Sequence, residues 1–189
     1  MSRFLSERYA GLTPYAPGEQ PRDAQYVKLN TNESPFPPSP GVRSAVEKEA
    51  ARLNLYSDPT CTELRAAAAT LYGVGPENVL PANGSDELLY FAFLAFGDAR
   101  SPFAFPDVSY GFYPVYAAFC GVPKREIPLK RDFSVDYRDY LGLPAHIVLA
   151  NPNAPTGMCL PLGQIEAIVR ANPDRVVIVD EAYVGFGGE

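Results

Sequence analysis

Apolar residues first recur at helical spacing beyond position 38. Ser39-Pro40 reads as an N-cap and first helical residue, and Val42, Ala45, Val46, Ala50 and Leu53 continue along one face. A capping box, Thr60-x-x-Glu63, introduces Leu64, Ala67, Ala68 and Leu71, with Gly73 as the stop. From there short apolar runs alternate with helical segments. The runs predict strands at 79–82, 103–105, 125–129, 147–150 and 176–179; the segments between them predict helices at 85–96, 109–119, 135–141 and 162–171. Pro114 lies inside the second of these helices, which must bend or begin later. The alternation indicates an α/β domain with a largely parallel sheet covered by helices. Residues 1–38, rich in Pro, Gly and polar groups with one short strand candidate at 26–30, read as an N-terminal arm, and 39–189 as the domain.

Composition narrows the classes. The chain is 189 residues long, 47% hydrophobic and 20% charged, enough for one substantial core. A formal charge of −6 argues against a nucleic-acid surface, and no apolar run reaches the length of a membrane span. The first fifteen residues lack the apolar stretch of a signal peptide. Cys61, Cys120 and Cys159 are odd in number and widely spaced, which fits a reducing, cytoplasmic setting, with each thiol read as a small buried side chain. A single histidine, His146, cannot build the usual zinc sites and is read as packed at a strand start; no metal is expected. Walker, G-x-G-x-x-G, H-E-x-x-H and G-x-S-x-G motifs are absent.

In open α/β sheets ligands bind beyond the carboxyl ends of the strands, so the residues just past each run matter most. Asn83-Gly84-Ser85-Asp86 leads into a helix, where glycine permits close approach and free N–H groups attract an anion; it also reads as a plain turn capped by Ser85. Tyr110 could stack on a flat heterocycle or serve as a core or dimer-contact tyrosine. Asn151-Pro152-Asn153-Ala154-Pro155-Thr156-Gly157 is a frozen loop that can hold an amide in a fixed pose, or simply a rigid turn. Asp180 ends a buried run and needs a positive partner, either a distant Lys or Arg or the protonated ring nitrogen of a cofactor.

Taken together, LTPYAPGEQ (12–20), KLNTNESPFPPSP (28–40), LYSDP (55–59), NGSDELL (83–89), SYGFY (109–113), NPNAPTG (151–157) and VDEAY (179–183) resemble the pyridoxal-phosphate aminotransferases of fold type I, and within them the histidinol-phosphate aminotransferases. The resemblance implies the large three-layer α/β/α domain of that fold, pyridoxal 5′-phosphate as cofactor, a homodimer, and transamination of histidinol phosphate with 2-oxoglutarate in histidine biosynthesis. It implies that Asp180 pairs with the pyridinium nitrogen and that Tyr183 bonds the ring's phenolate oxygen. Gly84, Ser85 and Asp86 would form the phosphate cup, with Asp86 organising the helix start. Tyr110 would stack on the ring, Tyr56 would reach the partner subunit's cofactor phosphate, and Tyr15 and Asn32 would approach the substrate. The family usually has asparagine where this chain has Ala154; Asn153 or Asn151 takes over that ring-oxygen contact, with Asn153 favoured, or Tyr183 serves it alone.

The family's Schiff-base lysine lies downstream of DEAY, whereas this chain has only Lys28, Lys48, Lys124 and Lys130. The chain is therefore expected to be the N-terminal portion of such an enzyme, without the rest of the large domain or the small domain. It offers no catalytic residue of its own and should be inactive alone. The strand at 79–82 would then lack a neighbour and that at 176–179 would become an open edge. Two other readings stand beside this one: a related lyase such as a threonine-phosphate decarboxylase, and a non-catalytic module that binds cofactor or dimerises.

Overall fold

A computed structural model describes Phe4, Ser6, Tyr9, Gly11 and residues 26–186. The chain divides into two compact units, residues 16–81 and residues 82–189 with 1–15.

The larger unit is a four-stranded, wholly parallel sheet in the order β2-β1-β3-β4, formed by β1 (Phe103–Pro106), β2 (Lys124–Ile127), β3 (His146–Ala150) and β4 (Val177–Asp180). Strand side chains alternate between two cores. Phe103 and Phe105 of β1 and Val148 of β3 pack with Leu89 and Phe93 of α3 (Ser85–Phe96) and with Tyr113, Tyr116 and Ala117 of α4 (Tyr113–Cys120). Ala104, Ile147 and Leu149 point the other way, onto Ile168 of α5 (Leu162–Ala171), Leu160 and Tyr140. The Phe93 and Phe103 rings stack with centroids 4.0 Å apart. Helices thus cover both faces, and the α/β class with a parallel sheet is the observed one.

Most predicted elements form, with instructive exceptions. α4 begins at Tyr113 rather than 109, which leaves Pro114 in the first turn, where its missing N–H is no loss. The helix predicted at 135–141 is a 3₁₀ turn over Tyr137–Tyr140. Residues 79–82 form no strand: the Val79 N–H donates to Pro76 (3.2 Å), its carbonyl accepts from Arg65 Nε (3.1 Å), and no neighbouring strand offers a ladder. Among the described residues β4 pairs with β3 alone. Its other side borders a cavity of about 470 Å³ lined by Leu88, Leu89, Ala92, Phe96 and Ile178.

Two of the buried polar side chains tie loops to the sheet and its helices. Asn172 Oδ1 accepts from Leu143 N (2.9 Å), and its Nδ2 donates to Tyr140 O and Ile168 O (2.8 and 2.7 Å), tying the end of α5 to the preceding loop. His146 Nδ1 accepts from Val176 N at 3.0 Å, fastening the start of β3 to the approach to β4. Burial, then the Arg175 charge, hold this imidazole below its ordinary pKa of 6.5. A base whose folded pKa is lowered stabilises the fold fully above its unfolded value, and that contribution is lost as pH falls from 6.5 through the lowered value. Urea midpoints between pH 8 and pH 5 should therefore drop more steeply for the parent than for His146→Asn, which keeps an acceptor but cannot titrate; equal slopes would contradict this.

The smaller unit carries α1 (Pro40–Ala50), with Ser39 Oγ accepting from Val42 N, and α2 (Thr62–Tyr72). The predicted Thr60 capping box is replaced by Asp58, whose carboxylate accepts from Thr62 N, Thr60 N and Thr60 Oγ1 at 2.7–2.9 Å. Thr62 and Thr60 together hold the Asp58 carboxyl far below the usual range. An aspartate two residues earlier serves the orphan N–H groups better than a threonine hydroxyl, because the acceptor is charged. The strand candidate at 26–30 has no ladder, and Tyr26, Val27 and Leu29 are exposed.

Candidate functional site at the carboxyl edge of the sheet

The carboxyl ends of β3 and β4, the loop after β1 and the start of α3 enclose a cavity of about 270 Å³. Gly84, Ser85 and Asp86 line one side, Tyr110 another, and Asp180 and Tyr183 a third, with Ala150, Pro152 and Ala154 between them. Ala150 and Asp180 are register neighbours on β3 and β4, so a methyl group leaves room beside the carboxylate.

Each element places its residue for a local reason. Gly84, the N-cap of α3, has φ +80° and ψ 176°, a region that only glycine occupies readily, and nothing lies within 4 Å of where a Cβ would sit. The backbone is thus open to close approach, and no side chain caps the first turn of α3. Glu87 turns back instead to accept from Asn83 N (2.9 Å). The Asp86 carboxylate is engaged by two phenols. Its Oδ1 accepts from both Tyr110 Oη and Tyr116 Oη at 2.9 Å, which fixes Tyr110 at the cavity wall. Burial, then the bond to Asp86, push the Tyr116 phenol well above its ordinary range, so it remains a donor.

Asp180 accepts from Tyr113 Oη at Oδ2 (2.8 Å) and from Ala182 N at Oδ1 (3.3 Å). Among the described residues it has no Lys or Arg partner. Tyr113 and Tyr116 were not singled out from the sequence. Their i, i+3 spacing puts them on one helix face, a detectable signal, but the carboxylate each would meet depended on the fold.

The Asn153 expectation is corrected. Asn153 is 2% exposed and does not line the cavity. Its Oδ1 accepts from Ser109 Oγ (2.7 Å), and its Nδ2 donates to Val108 O and Thr156 Oγ1 (both 3.0 Å). Asn151 is likewise committed, exchanging bonds with the Leu160 backbone. Both amides stitch the loop together, and Ala154 occupies the wall. Tyr56 and Asn32 belong to the smaller unit: Tyr56 is fully exposed, and Asn32 is exposed with φ +52°. Tyr15 lies outside the described residues.

An open parallel α/β domain with an uncapped helix start, an aromatic wall and a carboxylate that has no Lys or Arg partner among the described residues, all around one small cavity, can chemically suit a small, flat, phosphorylated cation. Comparison with known proteins gives the family: residues 24–189 match the model for aminotransferase class I and II, and the chain belongs to that family. It is 52% identical over 194 residues to histidinol-phosphate aminotransferase 2 of Dechloromonas aromatica and 50% identical over 191 residues to histidinol-phosphate aminotransferase of Marinomonas sp.. Each match covers all of this chain and 54% of the relative, so the chain spans about half the length of the curated relatives it matches. Among solved structures, histidinol-phosphate aminotransferase from Sinorhizobium meliloti in complex with pyridoxal-5′-phosphate superposes with TM-score 0.76 at 29% identity, over 82% of this chain and 43% of that one. An aspartate aminotransferase variant from Thermus thermophilus shares the fold, with TM-score 0.79 at 23% identity over 94% of this chain and 53% of that one. Among the described residues, no helix is long and apolar enough to cross a membrane.

Proposed function

We propose that this chain supplies the ring and phosphate half of a pyridoxal 5′-phosphate site in an enzyme that transaminates histidinol phosphate with 2-oxoglutarate. One observation carries the reading: the Asp180 carboxylate and the open first turn of α3 line the same cavity, with the Tyr110 ring on its wall. The donor set fits the cofactor. Ser85 presents its N–H and hydroxyl to a phosphate beside the open backbone of Gly84, whose own N–H donates to Ala82 O (3.0 Å); Tyr110 presents a face to the ring, and Asp180 presents a charge to the ring nitrogen. With Asn151 and Asn153 committed inside their loop, Tyr183 is left to serve the ring's phenolate oxygen. When bound, pyridoxal phosphate supplies an electron sink for carbanion charge, and Asp180 keeps the ring nitrogen protonated for that purpose. The fully exposed Tyr56 suits a role at the cofactor phosphate of a second copy in a homodimer. The setting proposed is the cytoplasm, in keeping with the cysteine usage. Relatives near 50% identity favour histidinol phosphate over a threonine-phosphate decarboxylase, whose likeness at 22% identity is one of fold alone.

Neither lysine of the larger unit, Lys124 or Lys130, lines the cavity. The 189 residues should therefore bind pyridoxal phosphate without a covalent bond and show no turnover. Mass spectrometry after borohydride reduction should find no adduct at the cavity, and a coupled transaminase assay should read background. A chimera in which these residues replace the matching half of the Dechloromonas aromatica protein should transaminate histidinol phosphate. A chimera that folds and loads cofactor but stays inactive on that substrate would contradict the reading.

A further inference from the structure

The Tyr113 hydroxyl is used for one purpose. The residue is 0% exposed, its ring meets Phe105 (5.6 Å) and, edge to face, Tyr110 (5.6 Å, 81°), and phenylalanine would fill the same space. Its oxygen contacts Asp180 Oδ2 at 2.8 Å. We propose that Tyr113 is a positioning residue for Asp180: its buried hydroxyl clamps one carboxylate oxygen so that the other is presented to the ring nitrogen of the bound cofactor. The inference rests on the pyridoxal phosphate site proposed for this cavity. Burial, then the Asp180 charge, raise the Tyr113 phenol well above its ordinary range, so the hydroxyl stays a donor and the carboxylate stays the acceptor. Tyr140 provides the contrast, a buried tyrosine whose hydroxyl has no partner among the described residues. Through the shared Tyr110–Tyr113 ring contact, the same side chain links the aromatic wall to the acid.

The test compares pyridoxal phosphate with its 1-deaza analogue, in which carbon replaces the ring nitrogen, by fluorescence titration of the chain. Tyr113→Phe should weaken pyridoxal phosphate about tenfold, as expected for one hydrogen bond to a charged group. It should change the deaza analogue less than about twofold, since no ring nitrogen remains to be aligned. In an Asp180→Asn background the same change should cost less than about twofold for both ligands. Tyr140→Phe should leave both affinities unchanged. Equal weakening of the two ligands by Tyr113→Phe would mean that the hydroxyl only supports packing, and would overturn the inference. No change with either ligand would overturn it as well. A parent that binds pyridoxal phosphate no better than the deaza analogue would instead refute the Asp180 pairing under the proposed function, and this inference with it. Circular dichroism of each variant confirms the fold before titration.

Discussion

Asp180→Asn should lower the affinity for pyridoxal phosphate about a hundredfold, roughly 3 kcal/mol, while barely moving the urea midpoint. The amide has nearly the shape of the carboxylate and still offers an oxygen to the Tyr113 hydroxyl, so the fold keeps its contact. What is lost is the charge opposite the ring nitrogen in a site with no other charged partner for that atom among the cavity's lining residues except Asp86, which its two tyrosines engage. Asp180→Ala is the poorer experiment, because it strands a buried donor and mixes stability with affinity. Equilibrium titration of the asparagine variant checks the expectation, and an unchanged Kd would remove Asp180 from the site.

Asn153→Ala should destabilise the larger unit by about 2–3 kcal/mol, since three partly buried side-chain hydrogen bonds vanish and partners at Ser109, Val108 and Thr156 are left short. Ser109 and Val108 belong to the loop that carries Tyr110, while Asn153 belongs to the loop that carries Ala154. One amide therefore holds two walls of the cavity together. The variant should lose cofactor affinity as a consequence of loosened walls, and the loss should shrink when measured in a stabilising osmolyte. Urea unfolding measures the first effect. A stability within about 0.5 kcal/mol of the parent would contradict the bonding described.

This asparagine marks where sequence reading stops. A rigid loop with two asparagines next to Ala154 is legible as a place where an amide matters, and it is one. Which way the amide turns depends on Ser109 and Val108, 44 and 45 residues away, and no local pattern encodes that. Asp180 was legible because an acid closing an apolar run needs a partner. The helix at 85–96 was legible for a similar reason: Gly84 and a continuous apolar run define its start and length. The candidate strand at 79–82 has the right residues, yet a strand exists only through pairing, and Val79 finds Pro76 and Arg65 instead. At 109–112 the residues that look helical are used in a turn that seats Tyr110, and the helix waits for Tyr113.

A crystal structure of the chain grown with pyridoxal 5′-phosphate tests the account most directly. It should show the ring nitrogen within hydrogen-bonding distance of an Asp180 carboxylate oxygen, the ring against Tyr110, and the phosphate at the first turn of α3, on the N–H and hydroxyl of Ser85. Clear density for the molecule anywhere else, or with its phosphate turned toward Asp180, would contradict it.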